Sequence, residues 1–425
     1  MNILLLQAYN GKDEPALYPL GLNCIARVLN QHNVKVFDPN ISERPDEELY
    51  ELLRKFHPRV VGISIRNIDS TNKRRVVFYY DHVHRMIDIV KNVIGNEAII
   101  IAGGPGFSIF ARSIMENETR IDIGVLSEAE DTFPQLLLHL QKPEQVKNVF
   151  YRRNGDVVFS GEKGFLDKDR LSSLCDYQDA SRYKHIKNSV GIETKRGCVL
   201  DCIYCVYGFL NGKHYRLKNP QHVVNEIESL GEKHQINEFT FVDSTFNVPV
   251  DHAQAICKEL IKRNIKIHWS AWFHDKYLTY DFVDLARQAG CQKFIMSPDG
   301  FSDDILKRLG KSQRKIDILQ GYHILKSLDG IEICYNFFKN PPGQTWISLM
   351  NMIYFCLKGK WQLRNKIHFE FNSIRIEPNT KLYEISVKEG IVSKKDNLLY
   401  PVKYTNKSTS YIETLFDFLL QIVGK

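Results

Sequence analysis

The stretch CVLDCIYC, residues 198–205, places three cysteines within eight residues, in the spacing CxxxCxxC. Thiolates are soft ligands that select zinc, copper(I) or iron–sulfur clusters. A structural zinc site normally takes four protein ligands, and the nearest further donor, His214, lies nine residues beyond Cys205. Three interpretations compete: a zinc site, three unrelated buried cysteines, or a 4Fe–4S cluster with one open iron.

The cysteines directly follow the first of six short apolar runs that alternate with helical patterns. Such repeats predict a partial parallel barrel, a (β/α)6 relative of the TIM barrel, over residues 188–390. The chemistry of these barrels lies at the carboxyl ends of the strands. The predicted strands are GIETKR (191–196), EFTFVD (238–243), KIHWSAW (266–272), KFIMSPD (293–299), EICYNFF (332–338) and IHFEFNSIRI (367–376).

Upstream of the barrel, residues 1–140 also alternate strand and helix patterns. Continuous apolar strands separated by helices predict an α/β fold, a doubly wound Rossmann-like domain with a parallel sheet. Ligands bind such sheets at the carboxyl ends of strands, where the strand order reverses. The predicted strands are NILLLQ (2–7), KVFDP (35–39), VVGISI (60–65), AIIIAGG (98–104) and IDIGVL (121–126).

Two less regular segments complete the chain. Residues 141–187 are predicted to be a connector, and NVFYRRNGDVVFSG (148–161) within it predicts a hairpin with an Asn-Gly turn. Residues 391–425 are predicted to be a short helical extension that ends in the amphipathic ETLFDFLLQIVGK. A compact substrate, recognised mainly by the barrel and the connector, is therefore expected.

Composition narrows the class of protein. Hydrophobic content of 43% and charged content of 25% are ordinary for a globular chain of 425 residues. The net charge of +7, without basic blocks, makes nucleic acid an unexpected partner. We expect no membrane partner, because no apolar run of about 18 residues occurs. With no secretory signal, the six scattered cysteines are expected to be buried small hydrophobes in a reducing cytoplasm.

Further segments around the cysteines resemble a known superfamily. TKRGC (194–198), GKHYRLKNPQHVVNEIESL (212–230) and FTFVDSTFN (239–247) resemble, with CxxxCxxC, the radical S-adenosylmethionine (SAM) enzymes. The resemblance implies that Cys198, Cys202 and Cys205 ligate a 4Fe–4S cluster whose open iron binds SAM. It implies that Tyr204 lies near the adenine. It also implies reductive cleavage of SAM to a deoxyadenosyl radical, with a reductant such as flavodoxin or ferredoxin.

The same resemblance suggests residues for SAM contact at the barrel mouth. MSPDGFSDDILKRLGK (296–311) resembles a family segment in which a carboxylate contacts the ribose, and Asp299 stands at that position. Thr245, Asn247 and Glu377 are expected nearby, and His274 is a candidate acid–base group or SAM contact. The residues assigned to SAM binding are Asp243, Ser244, Ser297, Asp299, Asn336 and Arg375.

The first domain resembles the cobalamin-binding branch of this superfamily. The similar segments are PLGLNCIARVLNQHNVKVFDPN (19–40), IIIAGGPGFS (99–108) and IDIGVLSEAED (121–131), the last with Ser127 and Ala129 in place of glycines. Glycines that close a strand let a bulky ring approach the backbone. The residues assigned to cobalamin are Leu20, Gly21, Ser64, Arg66, Asn67, Gly103, Gly104, Pro105, Ser127 and Glu128.

One departure from the branch concerns the lower face of cobalamin. The DxHxxG motif that supplies a histidine to cobalt is absent, and the loop QAYNGKDEPALYPLG (7–21) contains no histidine. Cobalamin is therefore expected to bind without a histidine lower ligand. Arg66, Asn67 and Asp69 are expected to face that side, where an arginine would disfavour a sixth ligand. Arg66 is for this reason also assigned to catalysis.

The resemblance implies a methyltransferase that moves a methyl group from SAM through methylcobalamin to a carbon of a small-molecule or peptide substrate. Alternatives that use the same cofactors are polar methylation of an aromatic carbon and a cyclisation or rearrangement. Methylthiolation of tRNA needs a second cluster, for which the first domain lacks grouped cysteines. A cofactor-binding sensor without catalysis is the alternative from another class.

Overall fold

The computed structural model describes residues 1–12, 14–70, 76–162, 164–171 and 175–422 of the chain. Its first domain is built on a seven-stranded sheet in the order β2-β1-β3-β4-β5-β6-β7. The strands are β1 (Asn2–Gln7), β2 (Asn33–Phe37), β3 (Val60–Ser64), β4 (Ile99–Gly103), β5 (Ile123–Val125), β6 (Val149–Arg153) and β7 (Asp156–Phe159). The helices are α1 (Leu20–Val28), α2 (Pro45–Phe56), α3 (Tyr80–Ile94), α4 (Pro105–Asn117) and α5 (Thr132–Leu138).

The first five strands confirm the predicted doubly wound sheet. β1 pairs in parallel with both β2 and β3, so the strand order reverses between β1 and β3. This is the switch point at which open α/β sheets bind ligands. The β-strands form from continuous apolar runs because both faces of a parallel sheet are covered.

The predicted hairpin forms, but it belongs to the first domain. β6 pairs antiparallel with β5 and with β7, and Asn154 and Gly155 in the turn have φ of 53° and 91°. The first sheet therefore continues to Phe159, beyond the expected boundary at residue 140. The rest of the connector contains the short helix α6 (Lys168–Leu171).

The second domain is a six-stranded partial barrel. The parallel order is β8-β11-β12-β13-β14-β15, while β9 pairs with β10 and β16 with β17 in separate antiparallel ribbons. The strands are β8 (Gly191–Ile192), β9 (Lys195–Arg196), β10 (Arg216–Leu217), β11 (Glu238–Phe241), β12 (His268–Phe273), β13 (Cys291–Asp299), β14 (Glu332–Phe338), β15 (Ile367–Asn372), β16 (Ile374–Arg375) and β17 (Lys403–Tyr404). The first and last predicted strands are each split, because their second halves leave the barrel to form these ribbons.

Helices cover the outside of the barrel and fill the C-terminal segment. They are α7 (Tyr207–Asn211), α8 (Pro220–His234), α9 (Val250–Lys262), α10 (Tyr280–Gln288), α11 (Asp303–Arg308), α12 (Lys315–Lys326), α13 (Trp346–Leu363), α14 (Lys381–Lys388) and α15 (Ser410–Ile422). Among the described residues, no helix is both long and apolar enough to cross a membrane.

The two domains share hydrophobic cores. One core contains Ile65 and Phe107 of the first domain together with Ile203 and Leu309 of the barrel. The C-terminal segment joins the same core through residues such as Leu399. The cysteine loop is thus packed directly against the first domain.

Two of the scattered cysteines are not isolated. The Sγ atoms of Cys24, on α1, and Cys175, in the connector, lie 2.7 Å apart. Both thiols are free in the structure. The connector therefore folds back onto α1 and brings two of the six scattered cysteines into contact.

Candidate functional site

Cys198, Cys202 and Cys205 lie on the loop between β9 and α7 and line one cavity of about 460 Å³, here called the cysteine cavity. The loop has no regular structure but is fixed by backbone hydrogen bonds. The Cys198 N–H donates to the Gly212 carbonyl at 3.0 Å, and the Ile203 N–H donates to the Leu309 carbonyl at 3.0 Å. The structure thus presents all three thiols to one space.

Gly197, immediately before the first cysteine, is required by the geometry. It has a φ of +92°, and a Cβ built on it would lie 2.0 Å from the His214 carbonyl oxygen. Any larger residue would push the β9–β10 ribbon away from the loop. The glycine of TKRGC therefore sets the position from which the cysteine loop begins.

Burial determines the protonation of the free thiols. Burial raises the pKa of Cys205 to about 12 and also raises the pKa of Cys202. Iron must therefore displace protons when it binds these thiols. The described residues contain no group arranged to hold a single metal ion. This agrees with a four-iron cluster, because such a cluster holds its thiolate ligands further apart than one ion does.

A buried polar network covers one side of the cysteine cavity. The Tyr204 hydroxyl donates to Asp299, and Lys311 forms an ion pair with the same carboxylate. Lys311 also donates to the Ser297 carbonyl at 2.8 Å and lies 5.5 Å from the centre of the Tyr204 ring. Asp299 has a φ of +64°, beyond a register shift in β13 that turns it toward the network.

Asp243 lines the cavity, but its carboxylate is already engaged. One oxygen accepts from the Thr194 and Lys195 N–H groups at 2.8 and 3.2 Å. The other accepts from the Thr194 hydroxyl at 2.5 Å and the Lys195 ammonium at 3.0 Å. These four hydrogen bonds fix the segment before Cys198, and contact of Asp243 with SAM stays a prediction.

The neighbouring hydroxyls and His274 also reach the cavity. Ser244 and Thr245 line it beside Asp243, as does Ser297. Nδ1 of His274 accepts from the Lys276 N–H at 3.3 Å, so Nε2 carries the proton and donates to the Ser312 hydroxyl at 3.0 Å. Burial lowers the pKa of His274 to about 3, so the imidazole is neutral at pH 7.

Three residues predicted near the mouth have other roles in the structure. Arg375 is buried and donates to Asp69 at 2.8 Å and to Glu377 at 2.6 Å, and its guanidinium lies over the Phe110 ring at 4.7 Å. These hydrogen bonds tie the first domain to β16, so Arg375 does not face a cofactor. They also engage the carboxylates of Asp69 and Glu377. Asn336 donates to the Ser297 hydroxyl at 3.0 Å and supports that residue from behind.

A second cavity, of about 210 Å³, lies at the switch point of the first sheet and is here called the glycine cavity. Its lining combines glycines and apolar side chains with serines and with the charged residues Glu128, Glu130, Glu193 and Arg196, and none of the described residues that line it is a histidine. Leu20 and Asn67 are absent from its lining, and Asn67 is exposed. The predicted residues that do line it are Gly21, Ser64, Gly103, Gly104, Pro105, Ser127 and Glu128.

Gly104 permits a close approach of backbones at this cavity. It has a φ of +94°, and a Cβ there would lie 2.8 Å from the Ile65 carbonyl oxygen and 3.0 Å from the Ser64 hydroxyl. The loop after β4 can therefore pack against the end of β3. Gly103, by contrast, has room for a side chain, with its nearest neighbour at 3.6 Å from a built Cβ.

Buried ion pairs join the glycine cavity to the cysteine loop. Glu128 accepts from both terminal nitrogens of Arg216, at 2.8 and 2.6 Å, while Glu130 pairs with Arg196 at 2.7 Å. Burial alone would raise the pKa of Glu130, but Arg196 overrides it and the pKa lies below its usual value. Arg196 lines the glycine cavity and lies only two residues before Cys198.

Arg66, directly beyond β3, lines the cysteine cavity. Its side chain has no ion-pair or hydrogen-bond partner within the described parts of the chain and is exposed to the cavity. Ser64, two residues earlier, lines the glycine cavity. The end of β3 thus connects the two cavities.

Motif matching did not single out Lys195, Arg196 or Lys311 as site residues. Lys195 and Arg196 stand in TKRGC, and Lys311 ends the segment MSPDGFSDDILKRLGK. All three residues therefore lie inside segments that resemble the superfamily. Their roles depend on partners that are distant in sequence, and local patterns do not reveal those partners.

Comparison with known proteins now identifies the two halves. Residues 7–137 match the B12 binding domain family and residues 192–356 match the Radical SAM superfamily. The chain therefore carries a B12 binding domain followed by a radical SAM domain. The two domains indicate cobalamin, SAM and a 4Fe–4S cluster as its cofactors.

Individual relatives cover most of this radical SAM protein. It is 23% identical over 385 residues to an uncharacterized methyltransferase of Pyrococcus horikoshii, covering 88% of this chain and 79% of the relative. It is 23% identical over 370 residues to cytidylyl-2-hydroxyethylphosphonate methyltransferase of Streptomyces wedmorensis, covering 73% of this chain and 66% of the relative.

A solved structure shares the fold. The radical SAM methyltransferase TsrM from Kitasatospora setae, with cobalamin and a [4Fe–4S] cluster bound, aligns with a TM-score of 0.78 at 19% identity, covering 96% of this chain and 83% of TsrM. The α/β architecture of both domains is therefore that of known cobalamin-dependent radical SAM proteins.

Proposed function

We propose that this protein transfers a methyl group from SAM, by way of cobalamin, to a carbon of a small-molecule or peptide substrate. The observation that carries the proposal is the end of β3, where Ser64 lines the glycine cavity and Arg66 lines the cysteine cavity. Two cofactors bound in cavities that are both lined by the end of one strand can act on one substrate. The methyltransferase relatives support the same reaction class.

The residues present fit a 4Fe–4S cluster and SAM. Cys198, Cys202 and Cys205 would hold the cluster, since three soft donors face one cavity that offers no fourth thiol in its lining. The hydroxyls of Ser244 and Thr245 would contact polar groups of SAM. The network of Tyr204, Asp299 and Lys311 gives the same cavity a fixed polar wall.

The glycine cavity fits part of cobalamin. Its volume of about 210 Å³ suits the heterocyclic base of the nucleotide tail and not the corrin ring. Ser64 and the glycines of this cavity would hold that base, and Arg66 would be available to the rest of the cofactor from the end of β3. When bound, these groups supply a transferable methyl group and one-electron cleavage of SAM. The part of the protein is to position them.

The substrate and the electron donor are inferred by class. A TsrM structure contains tryptophan as substrate, and a small molecule or peptide is proposed here. A flavodoxin or ferredoxin would reduce the cluster, and the reaction would take place in the cytoplasm. No histidine is among the described residues that line the glycine cavity, and Arg66 lines the cysteine cavity; both observations favour polar methylation of an aromatic carbon as the second candidate.

The test uses the full chain, reconstituted anaerobically with iron, sulfide and cobalamin and then reduced. With methyl-labelled SAM and a metabolite extract, we expect S-adenosylhomocysteine and a product heavier by one labelled methyl group. Deoxyadenosine accompanies a radical reaction and is absent from polar methylation. A product of unchanged mass would indicate a rearrangement, and a protein that forms neither SAM product would contradict an enzyme of this kind.

Matched cysteine variants test the cluster assignment. Cys202→Ala should lose the iron and the cluster absorbance, because it removes one of three ligands. Cys257→Ala, which changes a buried cysteine of the barrel outside the cavity, should retain both. Equal iron content in the two variants would contradict the assignment.

A further inference from the structure

Helix α13 carries apolar side chains on two opposite faces. Its inner face, including Leu349, Met352 and Phe355, is buried in the barrel core. A helix on the outside of a barrel normally turns a polar face to solvent, as α8 does with Gln221, Asn225 and similar residues. The outer face of α13 instead exposes Ile347 (77%), Met350 (59%), Tyr354 (66%), Leu357 (65%) and Trp361 (80%).

Helix α15 extends this surface. The Trp346 indole donates to the Tyr411 hydroxyl at 2.7 Å, and their rings lie 5.2 Å apart. Leu415 and Phe418 follow Tyr411 at helical spacing and are also exposed. The outer faces of α13 and α15 thus form one surface, here called the aromatic patch. Contiguous apolar surfaces of this kind mark interaction sites.

The charged residues of α13 and of the turn after it are all basic, whereas α15 contains Glu413 and Asp417. Residues 346–369 contain no aspartate or glutamate. Lys358, Lys360 and Arg364 are exposed in the second half of α13 and directly after it. Apolar and aromatic side chains flanked by basic residues are the composition of helices that lie in the interface of an anionic membrane.

We propose that the aromatic patch binds the surface of an anionic lipid bilayer. Indole and phenol rings suit the boundary between headgroups and acyl chains, because each has an apolar body and a polar tip. Lysine stems can cover apolar surface while their ammonium groups reach lipid phosphates. The helices would lie on the bilayer and not span it, consistent with the absence of a spanning helix among the described residues.

A second copy of the chain is the less favoured occupant. A twofold dimer pairs the same surface with itself. Where α13 faces α13 of the partner, the partner would therefore bring the same basic residues and no acidic residue from positions 346–369. An anionic bilayer supplies the missing negative charge.

The test is flotation of the full-length protein with two kinds of vesicle, phosphatidylcholine alone and phosphatidylcholine mixed with phosphatidylglycerol. Binding is expected only to the anionic vesicles and should weaken as salt screens the charges. Brominated acyl chains in these vesicles should quench tryptophan fluorescence, because Trp361 lies in the patch. Lys358→Gln should weaken binding about fivefold, and Trp361→Ser about tenfold or more.

Matched controls lie on other outer helices of the barrel. Tyr280→Ser, on α10, and Lys233→Gln, on α8, change exposed residues outside the patch and should bind as the unchanged protein does. All four side chains are exposed, so each variant should keep its unfolding midpoint. Failure of the unchanged protein to float with anionic vesicles would overturn the proposal. So would unaltered binding by Trp361→Ser, or a dimer in solution that Trp361→Ser converts to a monomer.

Discussion

The ion pair between Lys195 and Asp243 offers a quantitative test of how the cysteine loop is held. Both side chains are fully buried, and the carboxylate accepts four hydrogen bonds from Thr194 and Lys195. Asp243→Asn keeps the shape but removes the charge and places an amide donor against other donors. Breaking a buried pair by changing one partner costs about 3–5 kcal/mol, because the other charge stays buried.

Urea unfolding measures this loss. With a denaturant slope of about 3 kcal/mol per molar, the midpoint of the barrel transition should fall by about 1–2 M. Because Thr194 and Lys195 precede Cys198, iron content after reconstitution should fall as well. Asp304→Asn, which breaks the exposed pair with Arg308 in the same barrel, is the matched control and should change neither quantity.

A double variant separates charge from shape. Lys195→Met leaves Asp243 unpaired and should also destabilise, whereas Lys195→Met with Asp243→Asn should lose less than the sum of the two single changes. If Asp243→Asn unfolds at the urea concentration of the unchanged protein and binds iron normally, the carboxylate does not fix the loop. It would then be free to contact SAM, as the sequence motif suggested.

The other predictions concern the backbone, pH and oxidation. Gly104→Ala should destabilise the first domain by about 2 kcal/mol or more, since its Cβ would lie 2.8 Å from a carbonyl oxygen at positive φ. Gly21→Ala has open space around its Cβ and should leave the free energy of unfolding unchanged, as urea unfolding can show. Burial raises the pKa of Asp275 from 3.8 to about 7. At a pH between these two values the native state holds a proton that the unfolded chain has lost, so the free energy of unfolding should fall as pH rises through this range. Asp275→Asn should flatten that slope, and an unchanged slope in unfolding at several pH values would contradict it. Oxidised glutathione should form a disulfide between Cys24 and Cys175, whose sulfurs lie 2.7 Å apart. Mass spectrometry should show the loss of two hydrogens in the unchanged protein and no such loss in a Cys24→Ser variant.

The fold was predictable from the sequence because it depends on local patterns. Apolar runs such as NILLLQ (2–7) and EICYNFF (332–338) have the length and composition of buried parallel strands, and both form at the predicted residues. The hairpin turn at Asn154 and Gly155 was equally local. Its attachment to β5 was not, because any exposed sheet edge could have accepted the hairpin.

The site was predictable only in part. The cysteines and the cavity-lining glycines follow from spacing and motif, and the structure brings each set to one cavity. Arg375 was misplaced because its partner Asp69 lies 306 residues away, beyond the reach of any pattern. The hydrogen bonds of Asp243 were not predictable for a related reason, since a carboxylate at a strand end can hold a ligand or hold the backbone. Only the positions of Thr194 and Lys195 show the second of these roles.

The acidic residues of IDIGVLSEAED illustrate how the two halves depend on each other. As a motif, the segment was assigned to cobalamin, with Ser127 and Ala129 as departures. In the structure its glutamates hold Arg196 and Arg216, which flank the cysteine loop. Ser127 adopts a φ of +67° and donates to the Leu210 carbonyl in α7, the helix that follows the same loop. The segment therefore lines the glycine cavity and also fixes the cysteines. Removing Glu128 takes away the carboxylate that pairs with the partly buried Arg216, whereas Arg196 keeps Glu193 when Glu130 is removed. A change at Glu128 should therefore reduce iron content as well as cobalamin binding.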